Sequence, residues 1–132
     1  MKIHKGSCHC GAVQIEVEAP EVINVLDCNC SICSMTGYLH LIVSKSRLRL
    51  IQGEGNLTVY TFNTGVANHT FCKTCGVKPF YVPRSNPDGY SVNLRCLDKS
   101  GFSRINIEPF DGKNFEESAP KLRYLSEDKG SN

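Results

Sequence analysis

The stretch Cys28-Asn29-Cys30-Ser31-Ile32-Cys33 places three thiols within six residues. A disulfide would use two and leave one over, whereas one divalent metal can take all three as thiolates. On a tetrahedral zinc, three thiolates leave one position for a fourth protein ligand, a water or a substrate. Catalytic zinc sites keep that position open and structural sites close it. The chemistry open to this stretch is therefore metal-assisted handling of a small ligand, a thiol above all.

Two further thiol pairs flank it. Cys8-His9-Cys10 lies between Gly6 and Gly11, which let the backbone turn tightly. Sulfurs about 2.3 Å from one zinc are roughly 3.8 Å apart. Residues two apart reach that spacing when the chain curls, while a disulfide across one intervening residue would be badly strained. Cys72-Lys73-Thr74-Cys75-Gly76 has the form of a zinc knuckle. The same spacing also suits a redox dithiol, but no βαβ pattern surrounds it. Joining the two pairs makes one closed site of Cys8, Cys10, Cys72 and Cys75. Cys28, Cys30 and Cys33 then hold a second metal. The alternative is that Cys28 to Cys33 contribute to a single site.

The eighth thiol, Cys96, shares a strand face with Val92 and Leu94. It reads as a buried core cysteine, with closure of the second metal as the competing role. His9 reads as pointing away from the metal. His40, between two leucines, reads as a strand histidine rather than a ligand. His69 reads as a strand residue, with a hydrogen bond to a thiolate as the sharper alternative. Arg47, Arg84, Arg95 and Lys78 are unranked candidates for docking substrate carboxylates.

Short strands with breakers between them must position these groups. Val13 to Glu18 alternates apolar and polar residues, as a half-buried strand does. Further strands are expected over Val22–Leu26, Tyr38–Val43, Arg47–Leu50, Leu57–Phe62, Val66–Phe71, Phe80–Val82, Tyr90–Leu97 and Arg104–Glu108. One helical turn is expected over Ser34–Gly37. No segment has sustained helical periodicity, so the expectation is an all-β, two-sheet fold. Residues 1–125 read as a single domain and 126–132 as a flexible tail.

The 132 residues carry 15 basic and 13 acidic side chains, a formal charge of +2. That balance, with the basic residues scattered, argues against a nucleic-acid partner. No stretch approaches the roughly 20 apolar residues of a membrane span. The first ten residues lack the apolar core of a secretory signal. A cytoplasmic location is expected, where clustered cysteines bind metal more often than they form disulfides.

The segments GSCHCGAV, CNCSIC followed by a glycine, FCKTCGVKPFY, VPRSNPDG and NLRCLD together resemble the glutathione-dependent formaldehyde-activating enzyme family, which includes the centromere protein V relatives. The likeness runs from Gly6 to Asp98, and the spacings of all three cysteine clusters agree. It implies a β-tent, with antiparallel sheets of short strands stapled by zinc, and two Zn2+ per chain. By position, Cys8, Cys10, Cys72 and Cys75 would hold the structural zinc, and Cys28, Cys30 and Cys33 the zinc that meets glutathione and formaldehyde. The implied activity is that of a carbon–sulfur lyase forming S-hydroxymethylglutathione. A zinc rich in thiolate is a poor Lewis acid, so a carrier or binding module without catalysis is the alternative. The long basic N-terminal extension of the vertebrate centromere proteins is absent, which counts against a chromatin role.

Overall fold

Alternating apolar residues set the inner face of the sheets in this computed structural model, which describes residues 1–127. Ten strands are described: β1 (Lys2–Ser7), β2 (Gln14–Ala19), β3 (Val22–Cys28), β4 (Leu39–Ser44), β5 (Leu48–Gln52), β6 (Leu57–Tyr60), β7 (His69–Cys72), β8 (Phe80–Tyr81), β9 (Gly89–Asn93) and β10 (Arg104–Phe110). Two short helices accompany them, α1 (Ser31–Thr36) and α2 (Phe115–Ser118). The chain is mostly β, as expected. Its strands form three small sheets, in the orders β1-β2-β5, β10-β3-β4-β9-β8 and β6-β7. All pairs are antiparallel except β10 with β3, which run parallel. No helix among the described residues is long and apolar enough to cross a membrane.

The core lies between the first two sheets. Val13, Ile15, Val17 and Ala19 meet Ile23, Val25, Leu41, Val43 and Val92 there, all with essentially no exposed surface. Alternation turns every second side chain of the five-stranded sheet the other way. In β4, Leu39, Leu41 and Val43 join the core, while His40 and Ile42 line a cleft on the opposite face. This explains why all six residues of β4 are buried.

Three differences from the sequence reading affect the site. The helix begins at Ser31 rather than Ser34, because the chain leaves β3 at Cys28 and Cys30 caps the new turn. The last strand is longer than its alternating core: β10 pairs with β3 all the way to Phe110 opposite Cys28. The first residue of the expected tail, Ser126, is packed against the domain. Ser126 is buried, receives a hydrogen bond from Asn86 Nδ2 (2.9 Å) and donates to Asp88 Oδ1 (2.7 Å). The remainder of that tail, residues 128–132, lies outside the described residues.

Asn86 is the anchor of this C-terminal segment. It is 1% exposed and also donates to Leu122 O at 2.9 Å. Asn86→Ala removes these bonds and leaves the buried Leu122 carbonyl without this donor. A loss of about 2 kcal/mol follows. Urea unfolding should show a lower midpoint at unchanged m-value.

Candidate metal centres and the cleft beside the second

Two backbone turns of nearly the same form build the first centre. After β1 the chain folds back so that Cys8 N bonds Val13 O (3.0 Å) and Gly11 N bonds Cys8 O (3.2 Å). After β7, Cys72 N bonds Val77 O (2.9 Å) and Gly76 N bonds Cys72 O (2.8 Å). Gly11 and Gly76 have φ of 82° and 77°, a left-handed conformation that a side chain would strain. The sulfurs of Cys8, Cys10, Cys72 and Cys75 all lie within 4.8 Å of one another. Cys10 Sγ is 3.6 Å from both Cys8 Sγ and Cys72 Sγ, close to the edge of a zinc–thiolate tetrahedron.

The surroundings of these sulfurs suit anions. Val13 N–H points at Cys8 Sγ (3.3 Å), and Asn56 Nδ2 donates to Cys72 Sγ (3.2 Å). The backbone N–H groups of Cys75 and Thr74 hold the Cys72 thiol down at about 6. Those of Cys10 and Val77 lower Cys75. Four sulfur donors within 4.8 Å of one another, two of them with lowered thiols, match the donor set that zinc takes in a closed site.

The second centre lies where β3 gives way to α1. Cys28 ends the strand, Cys30 caps the helix and Cys33 sits on its buried side. Gly37, at φ 66°, ends the helix, and the chain turns into β4, whose His40 is opposite Leu26 of β3. This return brings His40 Nε2 to 3.2 Å from Cys33 Sγ. Cys28, Cys33 and His40 offer donor atoms within 4.8 Å of one another. Cys30, the third of the expected thiols, is not in that cluster; the neighbouring Cys28 and Cys33 thiols hold its own pKa down at about 2. Cys30 raises the thiol of Cys28, and Cys28, then Cys30, raise that of Cys33.

His40 is the residue the sequence reading missed. Its place between leucines suggested a simple strand histidine, and only the β3–β4 pairing carries it to the thiols. Its other nitrogen, Nδ1, is 2.8 Å from Ser91 Oγ, the kind of outer contact that orients a ligating imidazole. Burial, then the nearby Lys78 cation, push its pKa down to about 3, so the ring is neutral and able to coordinate. Cys96, offered as a fourth ligand, belongs to neither cluster. Its half-buried Sγ contacts Lys78 O at 3.9 Å, and burial raises its thiol to about 11.

The second centre opens into a cleft of about 790 Å³, bordered by Phe62, Phe110 and Phe115, with Arg84 and Lys113 among its polar side chains. The cleft approaches the thiols closely at Gly112, where a Cβ would overlap Cys28 Sγ. Of the docking candidates, only Arg84 lines the cleft; it pairs with Glu116 and covers the Phe115 ring at 4.1 Å. Arg47 is buried on Glu18 O (3.0 Å), Arg95 bonds Gly37 O (2.7 Å), and Lys78 is buried beside His69.

The model of the glutathione-dependent formaldehyde-activating enzyme family matches residues 3–112. The chain belongs to that family. A Halomonas elongata protein described as a glutathione-dependent formaldehyde-activating enzyme is 30% identical over 79 residues, which are 54% of this chain and 50% of that protein. The chain thus spans about half the length of this curated relative. The crystal structure of a Rhodobacter sphaeroides protein is 40% identical, with a TM-score of 0.67, over 77% of this chain and 99% of the other.

Burial, then the Lys78 cation, depress the His69 pKa to about 4. An unfolded histidine titrates near 6.5, so below that pH the unfolded chain binds the extra proton. This contribution to stability is complete above about pH 6.5 and is lost as pH falls towards 4. An NMR titration of the His69 ring should show it still neutral at about pH 5; a midpoint near 6.5 would contradict the buried geometry.

Proposed function

We propose that this chain is a zinc-dependent carbon–sulfur lyase-type enzyme that joins glutathione and formaldehyde as S-hydroxymethylglutathione. In this reading Cys8, Cys10, Cys72 and Cys75 hold a structural zinc, and Cys28, Cys30 and Cys33 hold a second. The observation that carries it is the contrast between the clusters. One is knit into the core by its two turns, whereas the other forms part of the wall of a large cleft.

The chain's own residues supply binding and orientation. The cleft volume of about 790 Å³ lies in the range of small-molecule sites. Its phenylalanines shed water from the thiol and the aldehyde. Arg84 and Lys113 are the cations on its wall for a ligand's carboxylates. Bound zinc would supply the acidity that turns a coordinated thiol into a thiolate at neutral pH. Holding the two reactants together then replaces a chance encounter with a local one.

A second reading is favoured by one observation, the 3.2 Å approach of His40 Nε2 to Cys33 Sγ. With His40 as fourth donor the second centre is closed, and the protein is a zinc-stabilised carrier or binding module. Both readings keep zinc at Cys28, Cys30 and Cys33; they differ in whether the reaction is accelerated.

Adduct formation measured over a range of enzyme concentrations, against a protein-free blank, separates them. The enzyme reading predicts a rate that rises with protein and returns to the blank in Cys30→Ala. A wild-type rate equal to the blank would remove it. Gly112→Ala tests the metal site without reference to turnover. Crowding of Cys28 Sγ should weaken the second zinc at least about tenfold in a chelator competition, while the first zinc keeps its affinity.

A further inference from the structure

Lys78 is buried at 7% exposure and, among the described residues, touches no carboxylate. Its ammonium instead lies over two aromatic faces, 3.8 Å from the Tyr81 centroid and 5.0 Å from that of Tyr38. Its Nζ is 2.5 Å from His69 Nδ1. A lysine ammonium has three donors and no acceptor. His69 Nδ1 must therefore accept, and the ring's own proton is on Nε2. Burial lowers the Lys78 pKa to about 8, opposed by the Cys33 and Cys30 thiolates, so the ammonium form holds at neutral pH.

The ring is also fixed in its plane. His69 stacks on Tyr81 (4.7 Å, 15°) and on Phe62 (5.4 Å, 25°). It lines the same cleft as Cys28, Cys30 and Cys33, and no protein group among the described residues hydrogen-bonds its Nε2. A rigid, neutral N–H donor at a cleft wall, with its tautomer set from behind by a buried cation, is suited to binding an oxygen atom. The geometry points to His69 Nε2–H as the donor that meets the aldehyde oxygen of the substrate, with Lys78 as the residue that positions it.

This role rests on the reading of the cleft as a thiol–aldehyde site. There, the glutathione sulfur forms the new C–S bond and the C=O π pair moves onto oxygen. The oxygen ends with the proton that the thiol released, so no oxidant or reductant is consumed. A donor held at the cleft wall in reach of that oxygen stabilises the charge as it develops.

The test begins on zinc-loaded wild-type protein labelled with ¹⁵N. Long-range ¹H–¹⁵N spectra at pH 7 should show His69 protonated on Nε2 and bare on Nδ1, and Lys78→Met should scramble that preference. A wild-type ring protonated on Nδ1 overturns the proposal, whatever the activity. In the adduct assay, His69→Phe should lower kcat about a hundredfold with little change in KM. His69→Gln, which keeps an N–H donor, should stay within about fivefold of wild type, and a His69→Phe rate equal to wild type overturns the role. If the wild type itself does not exceed the blank, the enzyme reading fails, and affinity decides the donor. The hydroxymethyl adduct, formed in excess formaldehyde, should then bind His69→Phe about tenfold more weakly than wild type, and S-methylglutathione should bind both alike. Equal affinities for the adduct overturn the donor role.

Discussion

Sulfur atoms held 3.6 Å apart cannot all be thiolates unless something positive stands among them. Two like charges about 4 Å apart repel by about 4 kcal/mol at an effective dielectric near 20. This fold brings sulfurs together twice, and each neighbourhood offers some positive compensation. At the first centre the compensation is local: turn N–H groups and Asn56 Nδ2 point at the sulfurs. At the second it comes from a distance. Lys78, buried with no carboxylate beside it among the described residues, is the cation whose field reaches Cys33 and Cys30. A divalent metal would complete both, and its binding energy would become folding energy, because the ligands are scattered in the unfolded chain.

The two centres divide the labour of the fold. Cys8 and Cys72 belong to the same buried cluster as Ile15, Leu41 and Val92, so the first centre is an extension of the core. It ties the β1–β2 turn to the end of β7, far apart in sequence. The second is set at the C-terminal end of β3, an inner strand of the five-stranded sheet, beside α1 and β4, with β10 pairing up to Cys28. Its thiols face the cleft rather than the core. Asn29 fastens this region to the segment after β10, taking Lys113 N–H on Oδ1 (3.0 Å) and giving Nδ2–H to Asp111 (3.1 Å).

Much of this was legible from residue spacing, because metal ligation by short cysteine clusters is local. A thiol, one or two spacers, a second thiol and a glycine dictate a turn whatever surrounds them, and the alternation in β2 declares its inner face. What could not be read depends on contacts between distant segments. His40 meets Cys33 only because β4 pairs with β3, and its flanking leucines carry no trace of that. Lys78 looks in sequence like any surface lysine three residues after a knuckle, yet it is buried under Tyr81. Cys96, read as a core cysteine with the second centre as the competing role, is half-buried and in neither cluster. Its spacing allowed a role at the second centre, but the chain leaves β9 in a short 3-10 turn that takes the thiol elsewhere. Ser126, at the start of an apparently idle polar tail, is held by Asn86 through a bond that only the folded chain reveals.

The central claim is that Cys28, Cys30 and Cys33 hold a metal of their own, separate from the one that staples the core. Native mass spectrometry of zinc-loaded protein tests it most directly, comparing the wild type with a Cys28→Ser, Cys33→Ser double variant that remains folded. The account predicts two zinc ions in the wild type and one in the variant. One zinc ion in both proteins would contradict it.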